Sequence, residues 1–249
     1  MYGADEESQT QGLCEGRKLL ALLTYDPSNA QLQAMAKVEW FRRATWTSQD
    51  EEEFQSRLNR SRRDGGKAQY LRIQSLHLAM AGNHKAALQL LEQLLREYPV
   101  RREMASTHLQ RAESLYALGY DEEAIKSFRA SLSAQTDHPN VRTGVALAFA
   151  WFIMIRRRND LYAEVETLIQ RYERECVLLF PLARFKCAAV RALVAAEQGN
   201  LDRARSLAAQ ASAAATEAHS GLRYHPKLGL VDGIPAEVAR RLAVISGSA

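Results

Sequence analysis

The chain of 249 residues is 47% hydrophobic and 25% charged, which is typical of a globular protein and not of a disordered or membrane protein. Glycine and proline are sparse, at 13 and 6 residues, and this favours helices. The net charge of +4 makes nucleic acid a candidate ligand, although a charge of this size does not require one.

Neither a membrane span nor a secretory signal is predicted. The longest apolar run, 144–155, ends at an arginine triplet and is shorter than the roughly 20 residues that cross a bilayer. Residues 1–7 are acidic and lack the basic start of a signal peptide. Three cysteines at unrelated spacings argue against a disulfide framework or a thiolate metal site. We therefore expect a cytoplasmic protein without a cofactor.

The N-terminal end is predicted to be irregular. Residues 1–12 are expected to be disordered, and the leucines of 13–24 predict a leading helix. A degenerate pair of helices is predicted at about 29–43 and 48–62. The leading helix and this pair together make up a region at 13–66.

This region contains the densest aromatic cluster of the chain. Its members are Trp40, Phe41, Trp46 and Phe54. The cluster forms either the core of the helix pair or an exposed binding surface, because aromatic residues concentrate binding energy at interfaces. The same two interpretations, structural cap or binding residue, apply to Tyr224 and His225. The sequence favours the structural interpretation in both places.

Three segments align when they are placed on a shared glycine, which is Gly82, Gly119 or Gly199. In each segment one small residue lies seven positions before the glycine and another lies five positions after it. These pairs are Ser75 with Ala87, Ala112 with Ala124, and Ala192 with Ala204. Apolar residues recur at helical spacing on both sides. Each segment is therefore predicted to be two helices joined by a tight turn.

The pattern has a physical basis in how two helices meet. The turn needs a residue that tolerates the left-handed backbone conformation, which glycine does best. Small residues on both sides let the helices approach closely, while larger ones such as Leu91 and Phe128 fill the layer against the next pair. Because one pair cannot bury its own apolar face, several pairs must stack.

With these residues the segments resemble tetratricopeptide repeats, which are helix–turn–helix units of 34 residues. Pro99 lies where that family often ends its second helix. The resemblance covers about 29–218. It implies an all-α, right-handed helical-hairpin solenoid with atypical capping ends, and we assign the solenoid to 67–219.

The intervals between the glycines are irregular. Gly82 and Gly119 are 37 residues apart, whereas Gly119 and Gly199 are 80 apart, which is two periods plus twelve residues. A fourth, degenerate pair is therefore predicted between them, with helices at 139–157 and 160–174.

Residues 220–249 are predicted to form a capping end after an alanine-rich helix at 201–219. Three residues rule out a continuous helix over 222–231, namely Gly221, Pro226 and Gly229. We expect this apolar segment to be ordered and extended across the last helices. Pro235 then begins a final amphipathic helix.

Basic residues are concentrated at 57–72 and at 156–158. Six occur from 57 to 72 against one acidic residue, Asp64, and an acidic block at 50–53 directly precedes them. Charges in this order suit the two ends of a helix dipole. The alternative is a surface that binds a polyanion, and such binding would weaken steeply with salt.

The sequence does not predict an enzyme. It has no nucleophile elbow, phosphate-binding loop, zinc-protease motif or dinucleotide-binding motif. The six histidines share no metal-ligand spacing, and His77 and His108 are expected at most to pack together. The cysteines (Cys14, Cys176 and Cys187) lie in apolar helical surroundings, where thiols are usually inert.

The tetratricopeptide resemblance implies a binding surface, because in that family the first helix of each pair lines a concave groove for a peptide or helix of another protein. The matching positions here are Arg72, Leu76, Leu109, Glu113, Tyr116 and Leu193. One subclass grips the C-terminal carboxylate of a chaperone with lysines and asparagines at such positions, and the leucines and glutamate here disfavour that ligand. The implied groove has an apolar floor and suits an amphipathic helix or a folded protein surface.

Three functions stay open. The first is a non-enzymatic adaptor that holds a partner peptide, helix or protein surface, for example an effector-binding or toxin-neutralising adaptor of bacterial type. The second is a regulatory or nucleic-acid-associated module that uses the basic patches. The third is a structural protein that associates with its own copy. The sequence favours the first and identifies neither the partner nor the oligomeric state.

Overall fold

The computed structural model describes residues 39–176 and 180–247, and within these ranges the chain is all-α, as predicted, with no β-strand. The α-helices are α1 (Ser48–Arg60), α2 (Asp64–Met80), α3 (His84–Glu97), α4 (Arg101–Ala117), α5 (Asp121–Asp137), α6 (Val145–Ile155), α7 (Tyr162–Glu175), α8 (Pro181–Glu197), α9 (Leu201–Ala215) and α10 (Ala236–Ser246). A short 3-10 helix, Asn159–Leu161, precedes α7. The predicted disordered end at 1–12 and leading helix at 13–24 lie outside the described residues.

The described residues form two compact units, 39–145 and 146–247. The predicted solenoid, 67–219, includes residues of both units. None of the helices in the described ranges is both long and apolar enough to pass through a bilayer.

In the first unit, α2 packs against α3 and α4 packs against α5, and three residues connect the two helices of each pair. The two pairs also meet, because both α2 and α3 contact α4. Helix α1 contributes Phe54 and Leu58 to a core that it shares with α2 and α3. Each element thus buries its apolar face against a neighbour, as an amphipathic helix must.

In the second unit, α8 and α9 form a further pair with a three-residue connection. Helix α8 also contacts α7 and α10 and is buried along most of its length. The rings of Trp151 on α6 and Phe185 on α8 lie 5.8 Å apart, so α6 packs on the same helix. The central position of α8 explains why its sequence is apolar on most sides.

The same kind of hydrogen bond closes four turns between successive helices in the described part of the chain. In each turn a backbone amide donates to a carbonyl five residues earlier, at 2.8 to 3.1 Å. The donor and acceptor pairs are Asn83 with Leu78, Tyr120 with Leu115, Arg158 with Ile153, and Asn200 with Ala195. This closure satisfies carbonyl groups that the end of a helix leaves without a partner.

The residue before each donor has a left-handed backbone. Its φ is +81° at Gly82, +83° at Gly119 and +79° at Gly199, which confirms the predicted glycine turns. In the degenerate pair Arg157 takes this place, with φ of +55°. Two helices joined by such a turn, α6 and α7, are therefore present between Gly119 and Gly199, and their turn has no glycine.

Some helix boundaries differ from the predicted ones. Helix α6 begins at Val145 and not at 139, because the amide and hydroxyl of Thr143 donate to Gln135 Oε1 at 2.7 and 2.9 Å and hold the preceding segment outside the helix. Residues 39–43, the described part of the predicted helix at 29–43, form a turn.

The segment that follows α9 is ordered, as predicted, but it turns repeatedly and is not extended. The amide of Ser220 donates to the carbonyl of Pro226 at 2.7 Å, and its hydroxyl donates to the carbonyl of His225 at 2.6 Å. These bonds close a compact loop. The buried Gly229 anchors the segment to α8, because its carbonyl accepts from the amide of Leu182 at 2.9 Å.

Candidate partner-binding site

The predicted partner-contacting residues lie on three helices. Arg72 and Leu76 are on α2, and α4 carries a further three, namely Leu109, Glu113 and Tyr116. Because α2 and α4 contact each other, the structure brings these five residues onto two neighbouring helices of the first unit. Leu193 is on α8 and belongs to the second unit.

Three of the six predicted residues are buried. The exposed fraction is 7% for Arg72, 4% for Leu109 and 2% for Leu193. Arg72 Nε donates to Glu103 Oε2 of α4 at 2.5 Å, so its charge is already neutralised inside the unit. A partner that docked on α2 and α4 would find these side chains beneath the surface and not projecting from it.

The other three predicted residues, Leu76, Glu113 and Tyr116, are half-buried and keep accessible surface. The 37-residue offset between the first two turn glycines makes Leu76 equivalent to Glu113 and Ala79 equivalent to Tyr116. Helical spacing places Met80 on the same side as Leu76 and Ala79. We call these five half-buried residues the first-helix surface.

Sequence reasoning missed a set of residues that tie each first helix to the segment before it. Gln74, Arg111 and Arg191 occupy equivalent positions, since they are separated by 37 and 80 residues, as the turn glycines are. Applying the same offsets to polar residues would have identified them. We therefore expect each of these side chains to connect its first helix to the segment that precedes it.

Their contacts agree with this. The side chain of Gln74 exchanges two hydrogen bonds with the backbone of Arg43, at 3.0 and 2.7 Å. Arg111 Nε donates to Glu92 of α3 at 2.6 Å, and Arg191 Nη1 donates to Glu173 of α7 at 2.8 Å. These contacts orient the first helices, and they do not themselves form a binding site.

The aromatic cluster at 40–54 belongs to the core of the first unit. Phe54 is fully buried, and the ring of Trp40 lies 5.2 Å from it and 4.9 Å from Tyr70. Trp46 packs on Phe54 at 5.5 Å. Trp40, Phe41 and Trp46 are half-buried and pack against this core, so the cluster contributes to the core and also keeps accessible surface. Its role as a binding surface stays a prediction.

Tyr224 shows the opposite behaviour. Its side chain is 77% exposed on the loop that Ser220 closes, and the guanidinium of Arg223 lies 5.4 Å from the ring centre. The structural-cap interpretation is therefore wrong for Tyr224. Its role as a binding residue stays a prediction.

The helix dipole explains only part of the basic patch at 57–72. Helix α1 has acidic residues in its first turn and Arg57 and Arg60 in its last turn, as predicted. Arg63, however, immediately precedes α2, and outside the patch Arg101 and Arg102 lie in the first turn of α4. Positive side chains are unfavourable at these positive helix ends.

The basic patch at 156–158 is largely neutralised inside the second unit. Arg158 makes two hydrogen bonds of 2.9 Å to the carboxylate of Asp160. The guanidinium of Arg157 lies 4.0 Å from the carboxylate of Glu197.

Burial shifts the pKa of several titratable groups in the described residues. Burial raises the pKa of the Cys187 thiol to about 12, so it carries no thiolate at neutral pH and is a poor nucleophile. Burial also lowers the pKa of His77 and His108, which lie near different charged neighbours. Within 39–176 and 180–247 no three histidine, cysteine or carboxylate side chains gather as metal ligands would, and Cys14 lies outside these ranges.

Comparison of the chain with protein-family models, with curated proteins and with solved structures finds no match. The resemblance to tetratricopeptide repeats therefore depends on the turn glycines, the small residues around them and the pairing of the helices.

Proposed function

We propose that this chain is a tetratricopeptide-like solenoid that binds an amphipathic helix or folded surface of another protein through the first-helix surface. One observation carries the proposal: Leu76, Ala79, Met80, Glu113 and Tyr116 keep accessible surface on two contacting and equivalent helices. On the same two helices Arg72 and Leu109 are buried, and the charge of Arg72 is paired with that of Glu103.

The makeup of this surface suits a protein partner. Three aliphatic or thioether side chains and one tyrosine offer apolar area, and a single carboxylate can orient a cation or amide of the partner. Tyrosine is among the residues whose truncation costs most at interfaces, typically ≥ ~2 kcal/mol when it lies at the centre. Tyr116 is therefore the expected anchor.

Site-specific crosslinking tests this surface while the partner is still unidentified. A photoreactive phenylalanine derivative is placed at Tyr116 and, as a matched control, at Tyr120, an exposed tyrosine four residues away on the turn. In the native host, position 116 should form a covalent adduct with one protein and position 120 should not. Adducts at 120 alone would contradict the proposal.

Once that partner is identified, Tyr116→Ala combined with Leu76→Ala should weaken its binding at least tenfold, which corresponds to about 1.4 kcal/mol. Both side chains are half-buried, so the variant should remain folded. Calorimetry measures the affinity, and Tyr120→Ala should bind as the parent does. Leu109→Ala is a poor test because the buried side chain contributes to stability.

A second function is favoured by the arginines that the helix dipole does not explain. Arg63, Arg101 and Arg102 lie at the starts of α2 and α4, and the Arg102 guanidinium lies against Gly65 of α2 and 3.7 Å from the carboxylate of Glu103, so the starts of the two helices are close together. Such a surface attracts a polyanion.

Titration of a labelled single-stranded RNA at several salt concentrations tests this second function. The parent should bind with an affinity that falls steeply with salt, and Arg63→Glu with Arg101→Glu should remove most of the binding. Lys85→Glu with Lys126→Glu is the control, since these exposed residues change the net charge equally elsewhere on the first unit. Equal losses in the two variants would indicate a non-specific effect of net charge.

A further inference from the structure

Helix α10 is attached to the second unit by helix packing and by one arginine that reaches two other helices. α10 contacts α8 and α9. Arg241 Nη2 donates to Glu197 Oε1 at the end of α8 at 2.7 Å, and Nη1 donates to the carbonyl of Met154 on α6 at 3.4 Å. Since α8 is the first helix of its pair and α9 is the second, α10 lies against both helices of the α8–α9 pair.

Glu197 is the centre of this contact. Besides Arg241, its carboxylate lies 4.0 Å from the guanidinium of Arg157 and accepts a hydrogen bond from the Tyr162 hydroxyl at 3.4 Å. The Arg241 and Glu197 side chains are 13% and 23% exposed, so their attraction is screened less than that of a surface pair. The Met154 carbonyl, in the last turn of α6, adds the negative end of a helix dipole.

Apart from this contact, α10 has few means of attachment. Only Val238 and Leu242 are buried, and Val244 is mostly exposed. The helix has 11 residues and follows a long stretch, 216–235, that contains no helix. Isolated helices of this length are marginal in water, so α10 depends on docking for its order. Elements with few buried apolar side chains are those that open most readily.

We propose that the surface of α8 and α9 around Glu197 is a docking surface for an arginine-bearing amphipathic helix, and that α10 occupies it within the same chain. The ligand pattern is the one that α10 shows: two aliphatic residues four positions apart, as at Val238 and Leu242, with an arginine directly before the second. A partner helix with this pattern displaces α10, and its arginine then forms the ion pair with Glu197 that Arg241 forms in this structure. The inference rests on the proposed function, since it assigns a partner helix to a second place on the same module.

A peptide of residues 234–247 serves as the probe, labelled with fluorescein and titrated with full-length chains. In Arg241→Glu the chain's own helix is repelled by Glu197 and leaves the surface open. Arg240→Glu is the matched control, because Arg240 is 73% exposed and pairs with Glu237 on its own helix. Fluorescence anisotropy should show that the Arg241→Glu chain binds the peptide at least tenfold more tightly than the parent and the Arg240→Glu chain do.

The contact with Glu197 is tested by charge reversal in the peptide. A peptide with Arg241→Glu should lose binding to the Arg241→Glu chain at least tenfold, while a peptide with Arg240→Glu should keep it. Equal binding of the probe by all three chains, or no binding by a folded Arg241→Glu chain, would overturn the proposal.

Hydrogen exchange on the parent chain gives a second test that needs no variant. Amides of α10 should exchange at least tenfold faster than those of α8 and α9, because α10 detaches while the pair stays folded. Equal protection in the three helices would also overturn the proposal. Neither measurement uses an external partner, so their failure is distinguishable from a failure of the crosslinking experiment at Tyr116.

Discussion

Buried alanines set how closely the paired helices approach. Ala124 has no exposed surface at the contact between α4 and α5, and Ala87 and Ala204 are equally buried in their pairs. Ala124→Leu should therefore overpack the contact and lower the free energy of unfolding by ~1–3 kcal/mol. The urea midpoint measures this. Ala117→Leu, at an exposed position at the end of α4, should leave the midpoint nearly unchanged; equal midpoints for Ala124→Leu and the parent would show that the repeat register is wrong.

A second prediction for single residues concerns the backbone conformation of two glycines, Gly119 and Gly66. Gly119 has φ of +83°, where a side chain strains the backbone, so Gly119→Ala should cost about 1 kcal/mol. Gly66 is inside α2, where alanine is preferred by roughly 0.5–1 kcal/mol and its added methyl group would meet the nearest atom at 3.4 Å. Gly66→Ala should therefore stabilise the protein. If denaturation showed that both substitutions change the free energy of unfolding in the same direction, this explanation of the turn would be contradicted.

At the scale of the elements, the position of the segment that follows α9 depends on a close contact between Gly229 and the ring of Phe180. A Cβ atom on Gly229 would lie 2.6 Å from the ring of Phe180, whereas nothing lies within 4 Å at Gly233. Both glycines have positive φ, at +68° and +76°, so Gly233→Ala shares the backbone strain and lacks the clash. Gly229→Ala should lower the thermal midpoint clearly more than Gly233→Ala does and expose 220–229 to proteolysis. If limited proteolysis treats the two variants alike, Gly229 does not anchor the segment.

The existence of the helices could be predicted from spacing, but several of their ends could not. Glycine turns have a local cause, so the boundaries at Gly82, Gly119 and Gly199 were readable from the sequence. The start of α6 depends on Gln135, a side chain of α5 that captures Thr143 eight residues later. In the turn between α6 and α7, Arg157 occupies the position that glycine occupies in the other turns, and no local sequence preference predicts an arginine there.

At the scale of the whole molecule, the sequence predicted which helices carry the expected partner-contacting residues, but it did not predict which of those residues are buried. The turn register placed five of the six expected partner-contacting residues on α2 and α4. That Arg72 pairs with Glu103, 31 residues away, depends on how α2 lies against α4. The contact of Arg241 with Glu197 is likewise set by packing. Burial is a property of neighbours, and one sequence without its fold does not specify them.

The free energy of unfolding should also depend on pH, because three histidines of the first unit have shifted pKa values. Burial lowers the pKa of His77, His84 and His108 below the ordinary value of 6.5. Nδ1 atoms of His84 and His108 find no hydrogen-bond partner among the described residues, so a protonated ring would be poorly solvated there. Hydrogen bonds to Thr47 and Arg43 lower the pKa of the Asp50 and Glu53 carboxylates below their ordinary values of 3.8 and 4.5, so these groups take up protons at lower pH than the histidines do.

The direction of the histidine effect follows from proton uptake. Near pH 6.5 the unfolded chain binds protons that the folded chain does not, so falling pH favours unfolding, and the stability is fully present only above pH 6.5. The thermal midpoint should therefore be level between pH 7 and 8 and fall as the pH drops from about 6.5 to 5, before the carboxylates titrate. His77→Gln with His108→Gln should flatten this first decline, while His219→Gln, at an exposed position, should not. A midpoint that stays level down to pH 5 in the parent would show that the buried rings accept protons within the fold.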